Sequence, residues 1–259
     1  MKCKICNSAT KILFSLKVLE KYDVEYHECM NCGFVQTDDP YWLSESYSSA
    51  INDIDLGPVN RAISGARITE GLLLSKFDFN GKFIDYGAGY GVLVRLMRDK
   101  GFDFYWHDPY CVNLFAKHFV ANSEMRFELL TAFEVFEHMA DPIAGIEDML
   151  GFSSNILFST LLVPKKTAGW WYFGPEHGQH VAFFTERALS IVAERFSLKL
   201  ATDGTGLHML SRDRVSNRLF RFLARDSMAA TVVRFYLRRK LPRQSLLSDD
   251  FRMVSGHQL

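Results

Sequence analysis

An apolar run that ends in an acid and then places glycine at every second position, Phe83-Ile84-Asp85-Tyr86-Gly87-Ala88-Gly89-Tyr90-Gly91, constrains this chain more than any other stretch. It reads as a strand breaking into a ligand-binding turn, because glycine tolerates positive φ and lets a backbone approach a ligand with no Cβ in the way. Residues 92–100 follow with leucines and charges at helical spacing. Strand, loop and helix in that order open a doubly wound α/β sheet. The glycines do not fall at the spacing of the dinucleotide fingerprint, which places its third glycine where it suits a pyrophosphate on a helix N-terminus.

The later segments continue the alternation. A helix is expected over residues 61–77, leading into the first strand, and residues 102–108 read as a second strand ending at Asp108, before Pro109. An acid at that tip suits two ribose hydroxyls, since one carboxylate accepts both hydrogen bonds; a surface acid before a turn proline is the plainer alternative. The pattern predicts a helix over 114–120, with Cys111 as a buried helix residue nearby. That leaves residues 121–126, too few for a normal third strand, so this strand is very short or absent. Residues 126–138 give an apolar strand running into Glu134, Glu137 and His138, and residues 155–162 give a fifth strand. Thr185 reads as a helix N-cap, and residues 197–203 and 206–211 as an antiparallel closing pair.

Two Cys-x-x-Cys pairs, Cys3/Cys6 and Cys29/Cys32, stand at the spacing of a zinc ribbon, with Gly33 as the knuckle glycine. Four thiolates close a tetrahedral structural site; a disulfide or redox pair is the alternative. His27 reads as a surface hairpin residue. Residues 1–40 carry five lysines against six acids, a surface that phosphate backbones do not favour. Residues 40–61 are aromatic and irregular and include Tyr47, either a lid over a pocket or a linker packed on the sheet.

The segment after the fifth strand holds the densest aromatic cluster, Trp170, Trp171, Tyr172 and Phe173, followed by Glu176-His177-Gly178-Gln179-His180. Strand C-terminal ends face the site in such sheets, and aromatic faces suit sugar rings and bases, so this loop is placed to hold an acceptor substrate. The histidines are candidate metal ligands, structural turn residues, or a general base oriented by Glu176. Between residues 212 and 243 lie ten Arg or Lys against two Asp, interleaved with apolar residues. These predict one or two basic amphipathic helices, packed on the core or drawn to an anionic membrane surface or a phosphorylated glycan carrier. Lys plus Arg and Asp plus Glu balance at 30 each, so net charge does not mark a nucleic-acid binder. No apolar run approaches the roughly 20 residues of a membrane span, and a cytoplasmic, at most membrane-peripheral, protein is expected.

Taken together, Asp85-x-Gly87-x-Gly89-x-Gly91, Asp108, Glu134-Val-Phe-Glu137-His138 with Asp141-Pro142 behind, the cysteine pairs and the Glu176–His180 loop resemble the zinc-ribbon branch of class I S-adenosylmethionine-dependent methyltransferases. Members of that branch are similar to enzymes that methylate nucleotide-linked sugars or bacterial surface polysaccharides. The resemblance, over about residues 1–211, implies an α/β Rossmann-like sheet with an N-terminal zinc ribbon and a basic helical C-terminal extension. The implied division is a ribbon at 1–40, a lid and entry helix at 41–80, a cofactor domain at 81–211 and the extension at 212–259. It places Asp85, Tyr86, Gly87, Gly89 and Gly91 around S-adenosylmethionine, Asp108 and Pro109 at its ribose, and Thr131, Ala132, Phe133 and Glu134 beside it. His138, Tyr47, Trp170, Trp171 and Tyr172 would face the acceptor. In the sugar C-methyltransferases of this branch a late-loop Glu-His pair abstracts the proton, matched by Glu176-His177, but Gly174 stands where a tyrosine is usual, so oxygen and carbon acceptors both stay open. The alternatives are a zinc-ribbon RNA methyltransferase, against which the ribbon's charge counts, and a non-catalytic cofactor-binding scaffold.

Overall fold

The computed structural model describes residues 1–47, 56–213, 215–224, 228–240 and 243–257. The N-terminal segment folds as β1 (Thr10–Val18), β2 (Tyr22–Cys29) and β3 (Val35–Thr37), an antiparallel ribbon, followed by the short α1 (Leu43–Ser46). After α2 (Pro58–Lys76) come β4 (Lys82–Tyr86), α3 (Val92–Asp99), β5 (Asp103–His107), β6 (Leu129–Phe133), α4 (Pro142–Phe152) and β7 (Ile156–Ser159). The two-residue β8 (Ala182–Phe183), α5 (Glu186–Arg195), β9 (Lys199–Thr202) and β10 (Leu207–Ser211) follow, then α6 (Asn217–Ala224), α7 (Met228–Lys240) and α8 (Leu247–Ser255).

Six strands form the central sheet in the order β5-β4-β6-β7-β10-β9. The first four run parallel, and β10 is antiparallel to both of its neighbours. Parallel strands are covered on both faces and so read as continuous apolar runs. Phe83 and Ile84 of β4, Leu129 and Leu130 of β6, and Ile156 and Leu157 of β7 are accordingly fully buried. Side chains of this size each contribute about 1.5–3 kcal/mol when removed from water. Strand C-terminal ends all open on one edge, which places the glycine loop after β4 beside the segments after β6 and β7.

Two expectations are corrected here. Residues 114–120 are turns, not a helix, and Cys111 is a partly buried turn residue. The Asn113 side chain accepts from the Ala116 amide and donates to the Ala116 carbonyl, both at 2.9 Å, giving the backbone a local alternative to helix. Only a single parallel bridge, Trp106 to Val120, stands where a third strand would lie. His27 is buried rather than on the surface, because Asp38 just past β3 takes its Nε2 at 2.8 Å.

Among the described residues between 212 and 243 stand two helices, α6 and α7, and α8 lies beyond that stretch. Much of the positive charge in that stretch is used internally. Arg234 is buried and donates to the Leu223 carbonyl, Arg238 pairs with Glu70 of α2 at 3.2 Å, and Arg243 donates to the Phe79 and Gly101 carbonyls while its guanidinium lies 5.0 Å from the Phe102 ring centroid. Arg214, Arg225 and residues 48–55 of the expected lid lie outside the described residues. Among the described residues no helix is long and apolar enough to cross a membrane.

The helix α8 is anchored by charge. Asp250 accepts from Arg98 Nε at 2.9 Å and Nη2 at 2.6 Å, with both side chains under a tenth exposed, and takes a further bond from Arg95. Removing one partner strands a buried charge, so Asp250→Ala is expected to cost about 3–5 kcal/mol. Urea unfolding checks this, and an unchanged midpoint would show that α8 is not docked.

Candidate active site

The loop after β4 takes the shape its glycines allow. Gly87, Gly89 and Gly91 have φ of 70°, 53° and 87°. At Gly87 a Cβ would stand 2.6 Å from Val135 Cγ2, whereas at Gly89 it would project into open space on the cavity wall. Asp85, one residue before the end of β4, has its carboxyl buried, one oxygen accepting from Thr131 Oγ1 at 2.7 Å. Burial pushes this carboxyl up to about 7. Asp108, just past β5, grips the same loop: Oδ2 accepts from the Gly89 amide at 2.8 Å, and Oδ1 from the Tyr110 and Cys111 amides.

Beyond β6, Glu134 sits at φ 56°, a left-handed conformation that costs a non-glycine residue about 1–3 kcal/mol. Ser159 at the end of β7 holds it there, its hydroxyl accepting from the Glu134 amide at 2.8 Å and donating to Oε1 at 2.6 Å. The strained position stands on the cavity wall and is held by this pair of hydrogen bonds.

The opposite wall comes from the ribbon. Val35 and Gln36 of β3 pair with Phe183 and Ala182 of β8, so the loop after β7 becomes the fourth strand of the N-terminal sheet. Thr185 caps α5 and also donates to the Cys32 carbonyl at 2.5 Å. Trp42 Nε1 donates to the Gly178 carbonyl, Gln179 Nε2 to the Ser46 carbonyl and the Leu19 amide to the Pro175 carbonyl, each at 2.8 Å. Phe14 and Leu16 of β1 thereby face the same cavity of about 930 Å³ as the glycine loop and the late loop.

The histidines of this cavity differ in what their nitrogens do. His180 Nδ1 donates to the Tyr172 carbonyl at 2.6 Å, which fixes the tautomer and leaves Nε2 with its lone pair. Burial, together with the nearby His177, lowers His180 to about 4 and keeps it neutral. His177 Nδ1 instead accepts from the Gln179 amide at 3.1 Å, and its ring packs over Gly174, where any Cβ would overlap it. His138 Nδ1 lies 2.9 Å from the Tyr47 hydroxyl, and the Tyr47 ring stacks on Tyr110 at 5.6 Å. Glu137 is fully buried, with the Tyr172 and Thr160 hydroxyls near its carboxyl, and among the described residues neither carboxylate oxygen makes a hydrogen bond of normal geometry. Burial and the charge of Glu134 push it up to about 8.

Cys3, Cys6, Cys29 and Cys32 converge, with Sγ separations of 3.7 Å (Cys3 to Cys32), 3.5 Å (Cys6 to Cys29) and 3.7 Å (Cys6 to Cys32). These are too long for disulfides of about 2.05 Å and match the edge of a tetrahedron with bonds of about 2.3 Å to a central ion. Amides of Ile5, Asn31 and Cys32 donate to the sulfurs at 3.4 Å, the support that thiolates need.

Among the expected site residues, Asp85, Gly87, Gly89, Phe133, Glu134, His138, Trp170, Trp171, Tyr172, Glu176, His177 and His180 line this one cavity. Others lie off it. The Tyr86 hydroxyl donates to Asp148 at 2.7 Å on the α4 side, Ala132 is buried in β6, Gly91 starts α3 and Pro109 is exposed. Glu176 is exposed and, among the described residues, hydrogen-bonds to neither histidine, so the expected orienting contact is not made. Sequence reasoning missed Phe14, Leu16, Arg61 and Gln179. The alternation of Phe14 and Leu16 with the polar Ser15 and Lys17 was the available signal for the first two.

The residues present fit S-adenosylmethionine. An open left-handed glycine gives backbone access, and Asp85 and Glu134 supply carboxyls to a ligand bearing an ammonium and a sulfonium. The family model described as Methyltransferase domain matches residues 64–202. No match was found among curated protein sequences. Among solved structures the chain is similar to the magnesium protoporphyrin IX methyltransferase of Synechocystis PCC 6803, with 11% identity and TM-score 0.45 over 65% of this chain and 92% of that one. It is similar to the plantazolicin methyltransferase BpumL, with 12% identity and TM-score 0.45 over 66% and 89%. With the mitomycin 7-O-methyltransferase MmcR the identity is 15% and the TM-score 0.40, over 60% of this chain and 56% of that chain's length. Since the family match spans more than half of its residues and sits on this sheet and glycine loop, the chain belongs to the methyltransferase-domain family and is an S-adenosylmethionine-dependent methyltransferase with the class I fold.

Proposed function

We propose that the chain methylates a sugar hydroxyl of a nucleotide-linked or surface-glycan acceptor, with His180 Nε2 taking the proton. The observation that carries this reading is the shared cavity: the glycine loop opens on one side, and a neutral imidazole with a committed tautomer stands on the other. S-adenosylmethionine supplies an electrophilic methyl group, so the chain's own part is positioning and proton removal. Asp85 and the Gly89 backbone hold its amino-acid end, Asp108 offers the free lone pair of Oδ2 to the ribose, and Glu134 stands beside the sulfonium. Trp170 and the largely exposed Trp171, at 73%, present ring faces at the mouth, which suits the C–H faces of a sugar.

His180 is preferred to His177 because His177 Nδ1 already accepts a backbone hydrogen bond. An oxygen acceptor is preferred because the branch's tyrosine, placed at Gly174, would overlap the His177 ring in this arrangement. The four thiolates would hold a structural zinc that fixes the ribbon wall; metal analysis finding no zinc in the purified chain contradicts this. The outer face of α7, with Met228, Val232, Phe235 and Tyr236 exposed beside Arg238, is assigned to an anionic membrane surface. Sedimentation with phosphatidylserine vesicles tests it: Phe235→Glu is expected to leave the chain in the supernatant, and equal sedimentation of variant and parent contradicts it.

His180→Ala is expected to slow labelled methyl transfer to nucleotide sugars by about 10²–10⁴-fold while cofactor affinity measured by calorimetry holds. His177→Ala should cost less; the reverse order sinks the assignment of the base. Because burial pushes Asp85 up to about 7, its carboxylate forms only as pH rises through that value, so cofactor affinity should tighten over the same interval. The sign for the unliganded fold is opposite, since a raised carboxyl favours folding at lower pH. A flat affinity profile across neutrality, in the Asp85 parent and in Asp85→Asn alike, would remove Asp85 from the cofactor site.

A further inference from the structure

We propose that Glu137, His138 and His180 form a second divalent-cation site on the floor of the cavity, separate from the four cysteines. Each offers one ligand atom, and the three atoms lie within 4.8 Å of one another. Two imidazoles and a carboxylate suit a first-row divalent ion such as Zn²⁺, and three protein ligands with a fourth position open to the cavity are the pattern of a working rather than a structural metal site. Bonds of about 2.0–2.2 Å would draw the groups together by small side-chain rotations.

Three independent features point to a ligand here. Glu137 is 0% exposed, and although the Tyr172 and Thr160 hydroxyls lie near its carboxyl, among the described residues neither oxygen makes a hydrogen bond of normal geometry, a state that buried polar groups rarely hold without an ion or water. The chain fixes it in place regardless: the 3-10 turn Phe136–His138 is pinned by Phe136 stacked on Phe158 at 3.7 Å, and by the Val181 amide donating to the Glu137 carbonyl at 2.8 Å. The outer ends of both rings are already supported. His180 Nδ1 donates to a backbone carbonyl and His138 Nδ1 meets the Tyr47 hydroxyl, the kind of bracing that metal-bound imidazoles receive. The two rings also stand edge to face at 4.8 Å, so one ion can reach both.

The site is the one assigned above to proton removal, and the inference rests on that placement of His180. An ion and a proton compete for the same Nε2 lone pair, so an ion held there would withhold His180 from proton removal, and an empty site leaves His180 as the base. Titrating the full chain with Zn²⁺ alone, without S-adenosylmethionine, reads cation binding independently of methyl transfer. The parent is expected to bind one zinc beyond the ion that Cys6→Ser loses. His180→Ala and Glu137→Gln should each weaken that further ion by at least about tenfold while leaving the cysteine-held ion in place. Circular dichroism confirms the fold of each variant, and His180→Ala decides the matter if Glu137→Gln does not fold. A parent that takes up no ion beyond the cysteine-held one, or a His180→Ala that titrates like the parent, overturns the proposal, while His180→Ala kinetics would still judge the methyl-transfer reading.

Discussion

Two residue pairs, Val35 with Phe183 and Gln36 with Ala182, decide the shape of this protein's working face. They join the ribbon to the loop after β7 in one sheet. With them the loop becomes a sheet strand, and its turns at Gly174 and Gly178 are held at fixed positive φ against the ribbon. Thr185 and Trp42 then add bonds from side chains more than a hundred residues away from their acceptors. The four-cysteine ribbon and the late-loop wall of the cavity are thus joined in one sheet.

The electrostatics of the cavity are arranged in two zones. Near the glycine loop the carboxyls of Asp85 and Glu134 face a region suited to positive charge. Behind them Glu137 and His138 are withdrawn from water, and burial drives both toward their neutral forms. A neutral, desolvated interior beside the carboxyls would let a proton move to the base proposed at His180 without competition from bulk solvent.

The organisation around Asp85 to Gly91 was legible in the sequence because backbone constraint leaves a local trace: positive φ requires glycine, and parallel strands require unbroken apolar runs. The N-cap at Thr185 and the converging cysteines were legible for the same reason. What escaped depended on distant partners. The helix expected over 114–120 lost to a side-chain turn at Asn113, while Leu114 and Phe115 stayed exposed instead of forming a buried stripe. The burial of His27 follows from Asp38 meeting it across the sheet, and a two-residue strand such as β8 carries no pattern of its own. Nor does spacing reveal that Glu176 stays exposed on the cavity wall while His180, four residues on, is largely withdrawn from water, since that is set by the loop's docking on the ribbon.

The central claim is that cofactor loop, late loop and ribbon enclose one reaction space with His180 at its acceptor end. A crystal structure of the full chain with S-adenosylhomocysteine tests it most directly. The account predicts the amino-acid end against Asp85 and Gly89, with the sulfur opening toward His180 and the ring faces of Trp170 and Tyr172. A sulfur that opens away from His180, onto space bounded by neither the late loop nor the ribbon, would contradict it.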